Sequence, residues 1–466
     1  MSKSRWFPLS PYFLLVLSLS ISFASCSQAT PTPKAPSYTL GTVQTWIEQH
    51  AIPLMTAEPG GADEDLQPLE QLVGNATLVG LGEQTHGTHE FFTMKLRILE
   101  FLVTHMGFTT FALENGWDES RQIDRYVLTG QGNLTDLLHA DLYDAWRVQE
   151  FRDLIEWIRA YDADPTHPTK VHFAGIDCGN ISQAAFDEVV AYVRGVDPQH
   201  TNLVQALYAD IRPSDPTPVF VDGGGFSSLP QAIKQHEQDN AQQVYTLLQA
   251  HQSAYESQSS KEAYALALQS AHVILQYTKL AVHIAPFATL YTSPPGKAYR
   301  DACMAENVAW LHEHTGGGAK IVLSAHNIHI ANTATVAGLN EHNLGGLLRQ
   351  HYQQQYLTIG TSFFQGSFNA FSTQQTGFMS YTVGPPLVGS YDYVLGSVGL
   401  PLYLLDIRHT PVGAVTNWVQ GPAKLRIISQ VFDPAHEADD YGQGSLQQWF
   451  DIIMHFQKTT ASRPLS

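Results

Sequence analysis

Between Gly82 and Glu90 the chain reads Gly-Glu-Gln-Thr-His-Gly-Thr-His-Glu, which crowds Glu83, His86, His89 and Glu90 together. A histidine beside carboxylates is equipped for general-base work: one carboxylate orients the imidazole and stabilises its cation. Gly82 and Gly87 permit a tight turn and close backbone approach. Read as a helix start, the segment gives Thr88 as cap and Glu90 as complement to the helix dipole. That reading leaves His86 without a structural task. A second cluster, Ala325-His-Asn-Ile-His-Ile330, sets His326 and His329 three residues apart. His86/His89 and His326/His329 are both H-x-x-H pairs, so a metal site competes with acid–base chemistry, because imidazole suits zinc, copper, iron and nickel. Neither pair has the H-E-x-x-H form, and the chain has no G-x-S-x-G serine elbow.

Something must hold these groups together. Short apolar runs bounded by turn residues lie at 77–83, 108–114, 171–177 and 319–326, and later at 355–360, 403–407 and 425–429. The first four lack polar alternation, as strands buried on both faces of a parallel sheet do. Helical spacing fills the gaps. Phe91, Met94, Ile98, Leu102 and Val103 recur over 90–106, and Phe151, Leu154, Ile155 and Ile158 over 150–161. Strand and helix in alternation predict right-handed βαβ units and the α/β class. The first four runs finish in Glu83, Glu114, Asp177 and His326. Ligands of open parallel sheets bind outside the carboxyl ends of the strands, so these four groups are expected to face one crevice.

The stretch from Asp177 to Ala319 is far longer than one crossover helix needs. It holds Pro213, Pro216 and Pro218, then Gly223 to Gly225, where a plain flexible loop is favoured over a lid hinge. Helical patterns follow over 229–255 and 261–284, and another over 299–314 with Met304, Val308 and Leu311 on one side. The expected fold is a mainly parallel central sheet flanked by helices, with a helical insertion over 186–298 capping its carboxyl edge. The α/β domain then comes in two parts, 41–185 and 299–466. Cys178 and Cys303 read as structural; one disulfide between them is compatible with the count, but no disulfide framework is.

The chain has 466 residues, with 25 Lys+Arg against 43 Asp+Glu and a net charge of −18. Its hydrophobic fraction of 44% excludes a disordered chain. The acidic balance argues against a nucleic-acid partner, which calls for a basic face. Residues 1–26 read as an export signal: Lys3 and Arg5, an apolar stretch from Tyr12 to Phe23 too short to span a membrane, then Phe23-Ala-Ser-Cys26. Two readings stand: a lipoprotein processing site with lipidated Cys26, or an ordinary cleaved signal. A tether over 27–40 follows, rich in Pro, Thr, Ser and Ala. The expected place is the bacterial cell envelope, with membrane attachment through Cys26.

The chain resembles the erythromycin esterase family. The likeness rests on Val79 to Phe92, Leu96 to Val103, Gly107 to Glu114, Trp146 to Glu150, Trp157 to Arg159, Gly175 to Asp177, Arg300 to Asn307, Trp310-Leu311, Ala325 to His329, Gly345 to Arg349 and Tyr356 to Gly360. It spans roughly 70–435. The resemblance implies hydrolysis of a macrolide lactone, an antibiotic-resistance chemistry, without a metal or other cofactor. His86 matches the histidine regarded as the general base, Glu83 and Glu114 the carboxylates around it, and His326 a later active-site histidine. The family usually has arginine where this chain has Lys95, and often histidine at Leu96.

Glu83, His86, Glu114 and His326 are therefore the expected catalytic residues. His89, Lys95, Asp177, Arg300 and His329 are the expected contacts to a small-molecule ester or lactone. Trp146 and Trp157 read as core. Two other readings stay open: a metal-dependent hydrolase on the same scaffold, and a non-catalytic surface lipoprotein that binds a small ligand.

Overall fold

The computed structural model describes residues 38–465, apart from 216–217, 222–225, 286–287, 315–317, 334–342 and 373–376. The signal segment, Cys26, nearly all of the tether, Pro216 and Gly223 to Gly225 lie outside the described residues.

Seven strands carry the central sheet: β1 (Leu78–Leu81), β2 (Thr110–Gly116), β3 (His172–Asp177), β4 (Ile321–Ser324), β5 (Tyr356–Ser372), β6 (Leu402–Asp406) and β7 (Ile452–Thr459). Their order is β6-β7-β5-β1-β4-β2-β3, and short strands at Ile52–Pro53, Phe378–Val383 and Val431–Phe432 bring the sheet to ten. From β7 through to β3 every neighbouring pair is parallel. The β6/β7 pair is antiparallel. The expected α/β class and mainly parallel sheet are present.

Alternate residues of the inner strands serve opposite cores. Val79, Leu81, Phe111 and Leu113 pack with Phe91, Met94, Ile98 and Leu102 of helix α1 (His89–Met106). Leu78, Ala112, Ile321 and Leu323 pack on the other face. There they meet Met304, Val308 and Leu311 of a helix over Pro294–His314. Both faces being covered explains why these strands read as unbroken apolar runs. Leu81 stands level with Ser324, and Ser324 with Leu113, so β1 and β4 end together while β2 runs on to Gly116 beside β3. A Cβ on Gly82 would sit 2.0 Å from Asn327 Oδ1, and one on Gly87 2.1 Å from the Asn369 carbonyl oxygen. Close approach, not an unusual φ, demands glycine at both.

Past β2 run α2 (Trp117–Thr129), α3 (Leu134–Asp141) and α4 (Gln149–Ala163). Between β3 and β4 lie α5 (Gln183–Val196), α6 (Thr201–Tyr208), α7 (Gln231–Ala250), α8 (Gln252–Gln258), α9 (Lys261–His283) and α10 (Pro294–His314). Helices α5 to α9 share a core of their own, which also buries Cys178 and Cys303. Both cysteines are free thiols.

Four details depart from the sequence reading. The helix expected over 229–255 is broken at His251. The helix expected from Tyr299 begins at Pro294, since proline at the first helical position loses no hydrogen bond. The run at 425–429 pairs as Ala423–Arg426 with Tyr441–Gly444, off the central sheet. Strand β7 has no counterpart among the expected strands.

Candidate active site

His86 sits on the turn between β1 and α1. Its Nδ1 lies 2.7 Å from Glu83 Oε1. Lys95, one turn and a half into α1, donates to the other oxygen of Glu83 and to Ser324 Oγ at 2.8 Å. Glu83 and Lys95 are wholly buried. Burial pushes the Glu83 carboxyl up, but the Lys95 ammonium and His86 outweigh it and hold Glu83 below the usual carboxylate range. Burial draws the Lys95 ammonium below its ordinary value, with Glu83 opposing. The His86 side chain keeps 11% of its surface exposed. The Trp146 ring meets His86 edge-on at 5.0 Å, and the His326 ring lies 5.1 Å away.

A second network occupies the ends of β2 and β3. Arg300 reaches in from α10 and donates through Nε to Asp177 Oδ1 at 2.9 Å and through Nη2 to Glu114 Oε1 at 3.0 Å. Asp177 also accepts from Tyr143 OH at 3.0 Å and from the Gly179 N–H at 2.8 Å. His329 bridges Glu114 at 3.2 Å and Asp301 at 2.6 Å. Burial lowers the His329 pKa, but Glu114 and Asp301 carry it up to about 10, so the ring is an imidazolium. Burial would raise the Glu114 carboxyl; His329, Arg300 and His86 hold it well below its ordinary value instead.

His326 is different. Burial and the neighbouring His86 push its pKa down to about 4. The ring is neutral and fully engaged: Nε2 donates to the Ile428 carbonyl at 3.1 Å, and Nδ1 accepts from the Ile328 N–H at 3.3 Å. Its backbone N–H donates to Glu114 Oε2 at 3.0 Å.

These groups meet at a cavity of about 670 Å³. His86, Glu114, Arg300, His326 and His329 line it, with Trp146, Tyr143, Phe220 and Leu290 as apolar wall. Glu83, Lys95 and Asp177 stand behind that surface and act on it through partners. His89 is elsewhere: its ring nitrogens are taken by Glu150 at 2.5 Å and Glu58 at 2.9 Å. The Thr88 hydroxyl makes no cap bond, pairing instead with Thr85 at 2.6 Å, while Glu90 holds the Thr460 N–H at 2.7 Å. Trp146, expected as core, is both buried and cavity wall.

Sequence reasoning missed Tyr143, Asp301, Lys297 and Asp141, all on the cavity. Asp301 adjoins Arg300 in a segment already singled out, and its neighbour was the available signal. The loop carrying Asp141 and Tyr143 has no pattern to flag it. Burial and the nearby Asp118 push the Asp141 carboxyl up to about 7.

Four carboxylates at or behind the cavity surface are engaged by cations: Glu83 by Lys95, Glu114 and Asp177 by Arg300, and Asp301 by His329. Such paired charges suit acid–base chemistry. Fold and site together define an α/β protein with a carboxylate-oriented histidine on the wall of a largely apolar cavity. The sequence model of the erythromycin esterase family matches residues 103–459. The chain belongs to that family and is a hydrolase of its kind. It is 24% identical over 426 residues to YbfO of Bacillus subtilis, which carries a provisional hydrolase name, with 88% of this chain and 90% of that one aligned. It is 22% identical over 440 residues to erythromycin esterase type II of Escherichia coli, with 90% and 98% aligned. A Bacillus cereus protein of solved structure superposes with a TM-score of 0.83 at 30% identity, covering 92% of this chain and all of that one.

Proposed function

We propose that the protein hydrolyses an ester or lactone with water activated by His86, and that macrolide lactones are the first substrates to try. One observation carries the reading. His86 lines the cavity with Nδ1 fixed on a buried, ionised Glu83, while among the described residues nothing bonds its Nε2.

Glu83 selects the tautomer with the proton on Nδ1, which leaves the Nε2 lone pair for water. His86 Nε2 takes a proton as the water oxygen adds to the carbonyl carbon. The oxyanion needs donors. With His329 protonated, its Nε2–H donates to Glu114, so Arg300 Nη1 at 3.4 Å has no acceptor there and keeps its hydrogens for the oxyanion. Collapse breaks the C–O bond, and the imidazolium returns its proton to the leaving alkoxide. His326, with both ring nitrogens occupied, acts as a spacer: its backbone N–H fixes Glu114 and its ring flanks His86.

Export and a lipidated Cys26 belong to the same proposal, and intact-mass measurement of the membrane fraction tests them. The enzymatic reading is tested by mass spectrometry on a panel of macrolides and simple esters. Wild type and His86→Ala are compared, each with and without chelator. Gain of one water that disappears in the variant and survives chelation is expected. Loss of turnover on chelation, regained with metal, points to the metal-dependent alternative, and absence of any product to the binding role.

A further inference from the structure

Three ligand-type side chains gather in the helical segment, away from the cavity. Asp197 follows α5, His200 ends the tight turn Pro198–His200, and His251 sits between α7 and α8. Each offers one ligand atom, and the three atoms lie within 4.8 Å of one another. None of the three lines the His86 cavity.

We infer that Asp197, His200 and His251 form a binding site for a divalent transition-metal ion of the zinc kind. Two imidazoles and one carboxylate favour zinc, copper or nickel over calcium and magnesium, which take all-oxygen sets. Three protein ligands leave a fourth position for water.

The surrounding bonds prepare the ligands. His251 Nδ1 lies 2.9 Å from the Leu247 carbonyl, which accepts its proton and leaves the Nε2 lone pair free. Tyr255 OH donates to Asp197 Oδ2 at 2.9 Å, the outer partner that a ligating carboxylate usually has. His200 Nδ1 faces Asp197 Oδ2 at 2.6 Å, and a cation entering there displaces the shared proton.

The ordinary cap role fails for Asp197. Asp197 precedes the 198–200 turn, yet its side chain makes no cap bond to it. The α7/α8 break falls at His251 within Leu-Leu-Gln-Ala-His-Gln-Ser, which has neither glycine nor proline. The break accompanies the His251 ring's bond to the i−4 carbonyl of Leu247, and it presents the imidazole to Asp197 and His200. The site joins two helix corners about fifty residues apart in the chain, and clips over long loops gain the most from closure.

The test is zinc binding to the full chain by equilibrium dialysis, followed by thermal melting with and without the ion. Wild type is expected to bind one ion with Kd on the order of 1 µM and to melt higher with zinc. Asp197→Asn/His200→Gln/His251→Gln is expected to lose both effects. Tyr255→Phe, which leaves all three ligands, is expected to bind about tenfold more weakly. Hydrolysis by His86 is expected to persist when the ion is removed. No binding by wild type, or equal binding by the triple variant, overturns the site; should the triple variant misfold, unchanged affinity in Tyr255→Phe overturns it.

Discussion

Nδ1 of His86 lies 2.7 Å from Oε1 of Glu83, and Lys95 closes the other side of that carboxylate. The arrangement makes Glu83 a fixed anion rather than a second base. Its charge is what sets the imidazole. Glu83→Gln keeps the shape but removes the charge, and its amide can present N–H to the ring and select the wrong tautomer. A fall in kcat of about 10²–10⁴-fold with KM little changed is expected. Steady-state kinetics on whichever ester wild type turns over checks this; an unchanged kcat removes Glu83 from the mechanism.

Arg300 spans Asp177 and Glu114 with one guanidinium fork. Asp177 is fully buried, so Arg300→Met strands a charge. A destabilisation of about 3–5 kcal/mol follows, read from urea melts. Arg300→Lys restores a charge but not the fork. Recovery of part of the stability without recovery of kcat is expected. Full recovery of both would show that only a point charge is needed there.

The strand ends were legible because the same physics acts on sequence and fold. A strand buried on both faces must be apolar until it leaves the sheet, so an ionisable residue at its end announces the exit. Glu83, Asp177 and His326 follow that rule, while Glu114 lies inside β2 at its register shift against β3. His89 shows where spacing misleads. His86 precedes α1 and His89 opens it, so helical periodicity does not put the two on one face. Lys95 reads as a cation for substrate, yet sits buried under Glu83, since a paired charge tolerates burial that a lone one does not. The sheet order was not readable. Nothing local in Ile452–Thr459 tells that it inserts between β6 and β5, because that pairing joins residues far apart in the chain.

Asp141 predicts its own pH dependence. Its carboxyl is raised from 3.8 to about 7 by burial and by Asp118. A raised acid contributes stability that is complete below the unfolded pKa and disappears as pH rises through the folded one. Stability owed to Asp141 is therefore present below pH 3.8 and lost towards about 7. Asp141→Asn removes the loss, and its advantage over wild type is expected to grow across that interval and level off above it. Chemical denaturation at a series of pH values measures it; parallel curves for the two proteins would count against a titrating Asp141.

His326 and His329 stand three residues apart and carry opposite slopes. The first is depressed from 6.5 to about 4, chiefly by burial. Unfolded chains bind its proton where the native state does not, so stability falls as pH drops from 6.5 to about 4. The second is raised to about 10 because Glu114 and Asp301 overcome its burial. Its contribution is complete below 6.5 and fades as pH climbs to about 10. The pair therefore favours a stability maximum near neutrality. His326→Asn is expected to flatten the acid limb alone, and Asp301→Asn, by weakening the hold on His329, to shift the fading of the alkaline limb to lower pH. Urea melts across pH 4 to 10, bracketed by these two pKa values, separate the effects. An acid limb unaltered in His326→Asn would mean that another buried group sets it, of which His455, depressed by burial to about 3, is the next to mutate.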